Sequence, residues 1–307
     1  MSKHKIVILG GTGFVGRCLT ARLCALGHEV TIITRRRERH RDLLVLPTAQ
    51  VIEGDAHNPM LLRREFQEKD TVINLVGILN EAGHDGQGFE RAHAELPAKV
   101  IVACRESGVR RVLHMSALKA SESAPSHYLR SKARGEARVL AATDLQVTSF
   151  RPSVIFGPHD RFTRRFAGLL RLMPFVFPLA CPNARFQPVF VEDVAQAFIN
   201  ALDLHQSFGQ AYELCGPRVY TLREVVQTIA DLSGVKTRIV GLSDGLSRLQ
   251  ARALEYFPGK PFSLDNYRSL QIDSVCDKGF PPVLGIVPAR FDEIVPSYLQ
   301  EGRESLS

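Results

Sequence analysis

The sequence predicts an α/β chain built on a doubly wound parallel sheet, with a smaller C-terminal α+β part, and three observations carry that reading. A short apolar run at 6–9 passes at once into Gly10, Gly11, Thr12, Gly13, Phe14, Val15 and Gly16, and then into a stretch with apolar residues at Leu19, Leu23 and Leu26. That order is strand, glycine turn, amphipathic helix. Further apolar runs at 29–34, 51–55, 71–77 and 111–116 alternate with helical stretches such as 92–107, which makes the strands parallel. The chain has 307 residues, 45% hydrophobic and 23% charged, enough for a large α/β layer and a second small body.

Each element then suggests a task. Glycines at 10 and 13 allow a tight turn and let the backbone approach a pyrophosphate, while Gly16 lets the helix pack closely on the strand. The helix start offers free N–H groups to phosphates. Gly10, Thr12, Gly13, Phe14 and Gly16 therefore read as the turn of a Rossmann-type dinucleotide site. Glycine-rich turns also occur as plain turns, and the strand before and helix after favour binding. The strand at 29–34 ends where such a fold meets the adenosine ribose: a carboxylate there accepts from the 2′-hydroxyl of NAD, and an arginine accommodates the 2′-phosphate of NADP. Here stand Arg35 and Arg36, with no carboxylate before Glu38. NADP(H) is preferred, NAD(H) being the alternative; Arg37, Arg39 and Arg41 read as a solvated basic helix start. Asp55, closing the third strand, is placed to reach the adenine amino group, and Gly77 lets the backbone after the fourth pass close to the cofactor.

Tyr128 and Lys132 form a Tyr-x-x-x-Lys, which on a helix puts both side chains on one face. An ammonium beside a phenol favours the phenolate and lowers its pKa toward a range useful for proton transfer. An ordinary surface helix produces the same spacing, so the pattern needs its context.

With these motifs the chain resembles the extended branch of the short-chain dehydrogenase/reductase superfamily, whose members pair such a turn with Tyr-x-x-x-Lys after the fifth strand. The resemblance continues through 149–158 (SFRPSVIFGP), 188–195 (PVFVEDVA) and 212–217 (YELCGP). It implies a Rossmann part at 1–157 with a return segment at about 187–207, and a smaller substrate part at 158–186 and 208–307. It also implies Tyr128 as proton donor, Lys132 as its partner and a ligand of the nicotinamide ribose, and Ser116 as a further catalytic hydroxyl. Two departures stand out. The Ser or Thr expected two residues beyond Ser116 is Leu118, which has no hydrogen bond to give, and the asparagine expected before the fifth strand falls on His93. A Tyr-x-x-x-Lys without these partners, with arginine after the second strand, resembles the atypical subgroup of the accessory NADPH-binding subunit of mitochondrial complex I. For that subunit the resemblance implies a structural nucleotide within a protein complex. The leading expectation is an NADP(H)-binding oxidoreductase-like protein acting on or near a quinone or another hydrophobic carbonyl compound; a non-catalytic accessory or assembly subunit and a sugar-nucleotide epimerase or reductase are the alternatives.

The net charge of +7 suits a phosphorylated ligand, an acidic membrane surface or nucleic acid. No nucleic-acid motif or interleaved stacking aromatics appear. Residues 161–173 are basic and amphipathic: Arg161, Arg164, Arg165 and Arg171 stand beside Phe162, Phe166, Leu169, Leu170 and Leu172, ahead of a proline-broken apolar run to 182. The segment is too short to span a bilayer. It either packs over a substrate cleft, the favoured reading, or lies on an anionic bilayer. The N-terminus shows no leader pattern, which points to the cytoplasm, with a peripheral position on the inner face of the membrane as the variant. Six scattered cysteines read as reduced thiols, with no metal spacing. Thr221 and Glu224 form a capping-box pattern opening a helix to 233. Further helices are expected at 244–257 and, interrupted at Pro296, at 289–299, ahead of a loose polar tail at 301–307.

Overall fold

The computed structural model describes residues 3–258 and 260–304, the side chains of 300–304 excepted. Seven strands pair in parallel: β1 (Lys5–Leu9), β2 (Glu29–Thr34), β3 (Ala49–Glu53), β4 (Thr71–Asn74), β5 (Arg111–Met115), β6 (Gln146–Pro152) and β11 (Gln210–Leu214). Their order is β11-β6-β5-β4-β1-β2-β3. The chain walks outward from β1 to β3, then crosses back to β4, so the carboxyl ends of β1 and β4 flank the switch point where such sheets bind ligands. Alternate residues of β1 face opposite ways. Ile6 and Ile8 join a core with Leu19, Leu23, Val194 and Phe198, from α1 (Phe14–Ala25) and α8 (Val191–Asn200). Val7 and Leu9 join the other core, with Leu62 and Phe66 from α3 (Pro59–Phe66), Val100 and Cys104 from α5 (Leu96–Ser107), and Val139 from α6 (His127–Leu140).

The strands at the site are shorter than their apolar runs suggest. Asp55, Gly77 and Ser116 lie in the loops beyond β3, β4 and β5. The helix expected from 92 begins as α4 (Gln87–Glu90) and passes through a π-helical turn, Arg91–Glu95, into α5. Pro97 has no N–H to give the His93 carbonyl four residues earlier. That carbonyl packs instead against Gly135 of α6, where a Cβ would collide with it. A proline and a glycine thus hold the widened turn open.

A third core, containing Leu170, Phe177, Phe186, Tyr220, Val226, Ile229, Phe291 and Val295, unites the C-terminal elements. These are α7 (Arg161–Leu172), β8 (Val176–Leu179), α9 (Leu222–Ser233), β13 (Arg238–Gly241) and α12 (Phe291–Glu304), with α10 (Asp244–Leu254) and α11 (Leu264–Ser269) alongside. Parallel pairs β8–β13 and β7 (Ile155–Phe156)–β10 (Val189–Phe190), and the antiparallel pair β9 (Arg185–Phe186)–β12 (Tyr220–Thr221), complete it. The short α2 (Arg41–Leu44) follows β2. Thr221 and Glu224 make the reciprocal capping box that their spacing predicts.

Three expectations change. Helix α12 runs through Pro296 without interruption and on to Glu304, into the stretch expected to be a loose tail, of which 305–307 lie outside the described residues. Cys215 and Cys276 form a disulfide where six free thiols were expected. The apolar stripe of α7, Phe162, Phe166, Leu169 and Leu170, is taken up by the C-terminal core, so it is not the face a bilayer would meet. No helix among the described residues is long and apolar enough to cross a membrane.

Candidate dinucleotide and active site

The glycine turn follows β1 directly. Gly10 has φ +82°, in the left-handed region glycine adopts at no steric cost, and its carbonyl accepts from Gly13 N at 3.0 Å. A Cβ at Gly10 would stand 3.0 Å from the Leu75 carbonyl carbon, and one at Gly16 would run into the Gly10 carbonyl and the Gly11 backbone. Gly13 caps α1 without a side chain, and the first turn carries no acidic residue. Gly13 is exposed, and Thr12 and Phe14 are half-buried beside it. The result is a helix N-terminus with free N–H groups at the switch point, a cradle that suits a pyrophosphate.

At the adenosine end, Arg35 and Arg36 are both exposed immediately after β2. Arg17, which sequence reasoning passed over, binds this region together: its Nε donates to the Thr12 carbonyl at 3.0 Å, and its guanidinium meets Asp42 and the His40 ring. Asp55 is exposed, accepts from His57 N at 3.0 Å and lies 3.7 Å from Arg91.

At the other end, α6 presents Tyr128 and Lys132 on one face. Tyr128 meets His93 edge-on, ring centroids 5.4 Å apart, and Phe89 at 6.1 Å. The Lys132 ammonium donates to the Met115 carbonyl at 3.1 Å, and a Cβ at Gly77 would lie 3.2 Å from it. Gly77 therefore permits the close passage of backbone over Lys132. Burial pushes the Lys132 ammonium down to about 8, opposed by the Glu136 carboxylate one turn on. The same burial pushes the Tyr128 phenol up to about 12, the reverse of the lowering expected from Lys132. Ser116 Oγ is buried with no partner among the described residues, an orphan polar atom beside the lysine's carbonyl ligand.

His93 does not stand in as a second hydroxyl-like donor. Its Nε2 accepts from Ile78 N at 3.0 Å, which leaves Nδ1 to donate to Ser131 Oγ at 2.9 Å, and Ser131 in turn donates to the Tyr128 carbonyl. Burial first, then the neighbouring charges of Lys132 and His114, hold its pKa down at about 2, so the ring is neutral. His93 fixes the 77–78 backbone to α6. Leu118 points away from this group and packs against Cys215 and Cys276.

Several residues here carry no sequence signal. Asp265 of α11 accepts from the amides of His127 and Tyr128 at 2.6 and 3.0 Å, capping α6 from 137 residues away. His114, facing Asn74 at 3.3 Å, sits fully buried on β5, and burial holds its pKa down at about 3. A cleft lined by Asn80, Glu81, Phe89, His127 and Asp265 lies at the N-terminal end of α6. Nothing in the spacing of these residues announces that they meet.

A family model described as the NAD dependent epimerase/dehydratase family matches residues 6–215, the glycine turn, the Tyr-x-x-x-Lys helix and every strand of the main sheet. The chain belongs to that family. This is the extended short-chain dehydrogenase/reductase type that its motifs resemble, and a nicotinamide dinucleotide is the family's ligand. Among its relatives is the Arabidopsis thaliana protein named NADH dehydrogenase [ubiquinone] 1 alpha subcomplex subunit 9, mitochondrial, 30% identical over 87% of this chain and 68% of that protein. Another is a Ceramide reductase of Caulobacter vibrioides, 32% identical over 78% of this chain and 74% of that protein. Among solved structures, MoeE5 in complex with UDP-glucose and NAD superposes with a TM-score of 0.74, covering 99% of this chain and 100% of that one; at 18% identity the likeness speaks for the fold.

Proposed function

We propose that the chain binds NADP(H), and that its site is built to hold the nucleotide more than to turn it over, as an accessory or assembly subunit of a respiratory or quinone-linked complex in the cytoplasm or at the inner membrane face would. The observation that carries the cofactor choice is the pair Arg35 and Arg36, exposed at the carboxyl end of β2 where a carboxylate would otherwise receive the ribose 2′-hydroxyl. Gly10, Thr12, Gly13, Phe14 and Gly16 would hold the pyrophosphate, Asp55 the adenine, and Gly77 and Lys132 the nicotinamide ribose. When bound, the nicotinamide supplies a hydride or takes one up. The chain's own groups offer that step little help: the Tyr128 phenol is raised by burial, and Leu118 leaves Ser116 as the remaining hydroxyl.

Calorimetric titration of the purified chain tests this reading. NADPH should bind at least about tenfold more tightly than NADH, one charge-assisted contact to a phosphate being worth roughly 1.5–3 kcal/mol, and Arg35→Asp should erase the difference. Equal affinities in the unaltered chain would sink the cofactor assignment.

A second reading, a reductase of a hydrophobic carbonyl compound, is favoured by Tyr128 and Lys132 sharing one face of α6, the helix whose first residue, His127, lines the cleft with Asn80 and Phe89. It rests as well on the similarity to a protein named Ceramide reductase. It requires Tyr128→Phe to abolish NADPH oxidation with long-chain ketones while leaving NADPH binding intact.

A further inference from the structure

With the apolar stripe of α7 inside the core, its outer face carries Arg161, Arg164, Arg165 and Arg171, all exposed. The chain then leaves the helix through an exposed turn whose side chains are apolar: Leu172 is 79% exposed, Met173 44%, Phe175 84% and Val176 52%. Side chains of that kind on a turn tip are exposed at a free-energy cost unless something covers them.

Their surroundings identify the chemistry of the cover. Thr237 Oγ1 donates to the Met173 carbonyl at 2.9 Å and Arg238 N to the Phe175 carbonyl at 3.0 Å, so β13 lies directly beside the turn. Val176 pairs with Arg238 and Pro178 with Val240, giving the β8–β13 ribbon an outer face of Val176, Arg238 and Val240. Gln250 of α10 reaches the Pro178 carbonyl at 3.2 Å, which brings that helix alongside, with Leu246, Arg248, Leu249 and Arg252 exposed. The three segments, 161–182, 234–241 and 246–254, together hold eight Lys or Arg and no Asp or Glu. Arg161, Arg164, Arg171, Lys236, Arg238, Arg248 and Arg252 form no ion pair among the described residues.

We propose that this surface docks on an anionic lipid bilayer, with Leu172, Phe175 and Val176 entering the headgroup–acyl boundary and the surrounding arginines meeting lipid phosphates. A protein partner fits less well, since the centres of protein interfaces are depleted of charge, whereas a bilayer surface accommodates apolar tips and a one-signed ring of cations together. The device differs from an amphipathic helix lying flat. It is an apolar loop tip in a basic collar, fixed to a rigid body by β13 and α10.

The chain contains no tryptophan, so Phe175→Trp places a single reporter at the tip. Mixed with vesicles of phosphatidylcholine and phosphatidylglycerol at low salt, its emission should shift to the blue and be quenched by brominated acyl chains, with no change on phosphatidylcholine alone and reversal at high salt. In the natural sequence, Leu172→Ser with Phe175→Ser should weaken co-sedimentation with the same vesicles about tenfold or more, and Arg238→Glu with Arg248→Glu should abolish it. The urea midpoint should stay unchanged in both, because all four side chains are exposed. Absence of binding to the anionic vesicles overturns the proposal. So does binding without the blue shift, which would be electrostatic adhesion only. A change of oligomeric state on the serine substitutions, without vesicle binding, would assign the surface to a protein partner instead.

Discussion

Lys132 shows what a single residue contributes and costs. Its ammonium is buried, donates to the Met115 carbonyl, and is held by burial at a pKa of about 8. A charge so placed is destabilising until a ligand shares it. Lys132→Met should therefore raise the stability of the nucleotide-free chain, on the order of 1–4 kcal/mol, while shrinking the rise in melting temperature that NADPH produces. Differential scanning fluorimetry with and without NADPH reads both, and a nucleotide-free variant less stable than the parent would refute the argument. His93 and His114 act in the opposite pH range. Both are held neutral, at about 2 and about 3, against the 6.5 of an ordinary histidine. Below 6.5 the unfolded chain takes up protons that the folded chain refuses, so stability falls as pH falls, by about 2 kcal/mol per group at pH 5. His114→Asn should flatten the decline in urea midpoint between pH 7 and pH 5; a slope identical to the parent's would show that His114 is not held neutral. The glycine turn and the shared helix face of Tyr128 and Lys132 were legible in the sequence because each is set by near neighbours in the chain. His114, Arg17 and Asp265 were not, because their roles depend on pairings that only the folded sheet and the docked C-terminal helices create.

Among the elements, α6 depends on a cap it does not encode. Ser126 Oγ accepts from Leu129 N at 3.2 Å, a local N-cap that the sequence itself contains. Asp265 adds two further acceptor contacts, to the amides of His127 and Tyr128, and places a negative charge at the positive end of the helix dipole. Asp265→Asn keeps at most one acceptor and removes the charge, so it should cost about 1–2 kcal/mol. Amide exchange at His127 and Tyr128 should accelerate more than exchange in the middle of α6; protection left unchanged there would mean that Asp265 caps nothing in solution. The same comparison explains why strand and helix identities were readable while their ends were not. Apolar runs mark what the sheet can bury, but β4 stops at Asn74, beyond which the Leu75 backbone passes close against Gly10 at the switch point, and the π turn at 91–95 lies where Pro97 and Gly135 meet the His93 carbonyl. Neither cause is periodic.

At the scale of the molecule, the disulfide between Cys215 and Cys276 ties the end of β11 to the segment that follows α11, closing a loop of 61 residues. That loop contains α9, β13, α10 and α11, the larger share of the C-terminal body, and the part of the basic surface contributed by β13 and α10. Its closure removes conformational freedom from the unfolded chain, worth about 4 kcal/mol for a loop of this length in the chain-entropy model. Other ties hold the same junction without the bond: Cys276 N donates to Gln187 Oε1 at 3.0 Å, Asp277 N to Glu213 at 3.0 Å, and Lys119 pairs with Asp277 at 2.6 Å. The fold should therefore survive Cys276→Ser with its contacts intact and lose stability mainly through the unfolded state. In non-reducing urea the variant should unfold at a lower denaturant concentration than the parent, its unfolding free energy lower by up to that amount. In the presence of a strong thiol reductant the parent should fall to meet it, since reduction removes the same constraint. If the parent's midpoint is indifferent to reductant, the two thiols are not joined in solution, and the C-terminal body is held to β11 by packing and these polar ties.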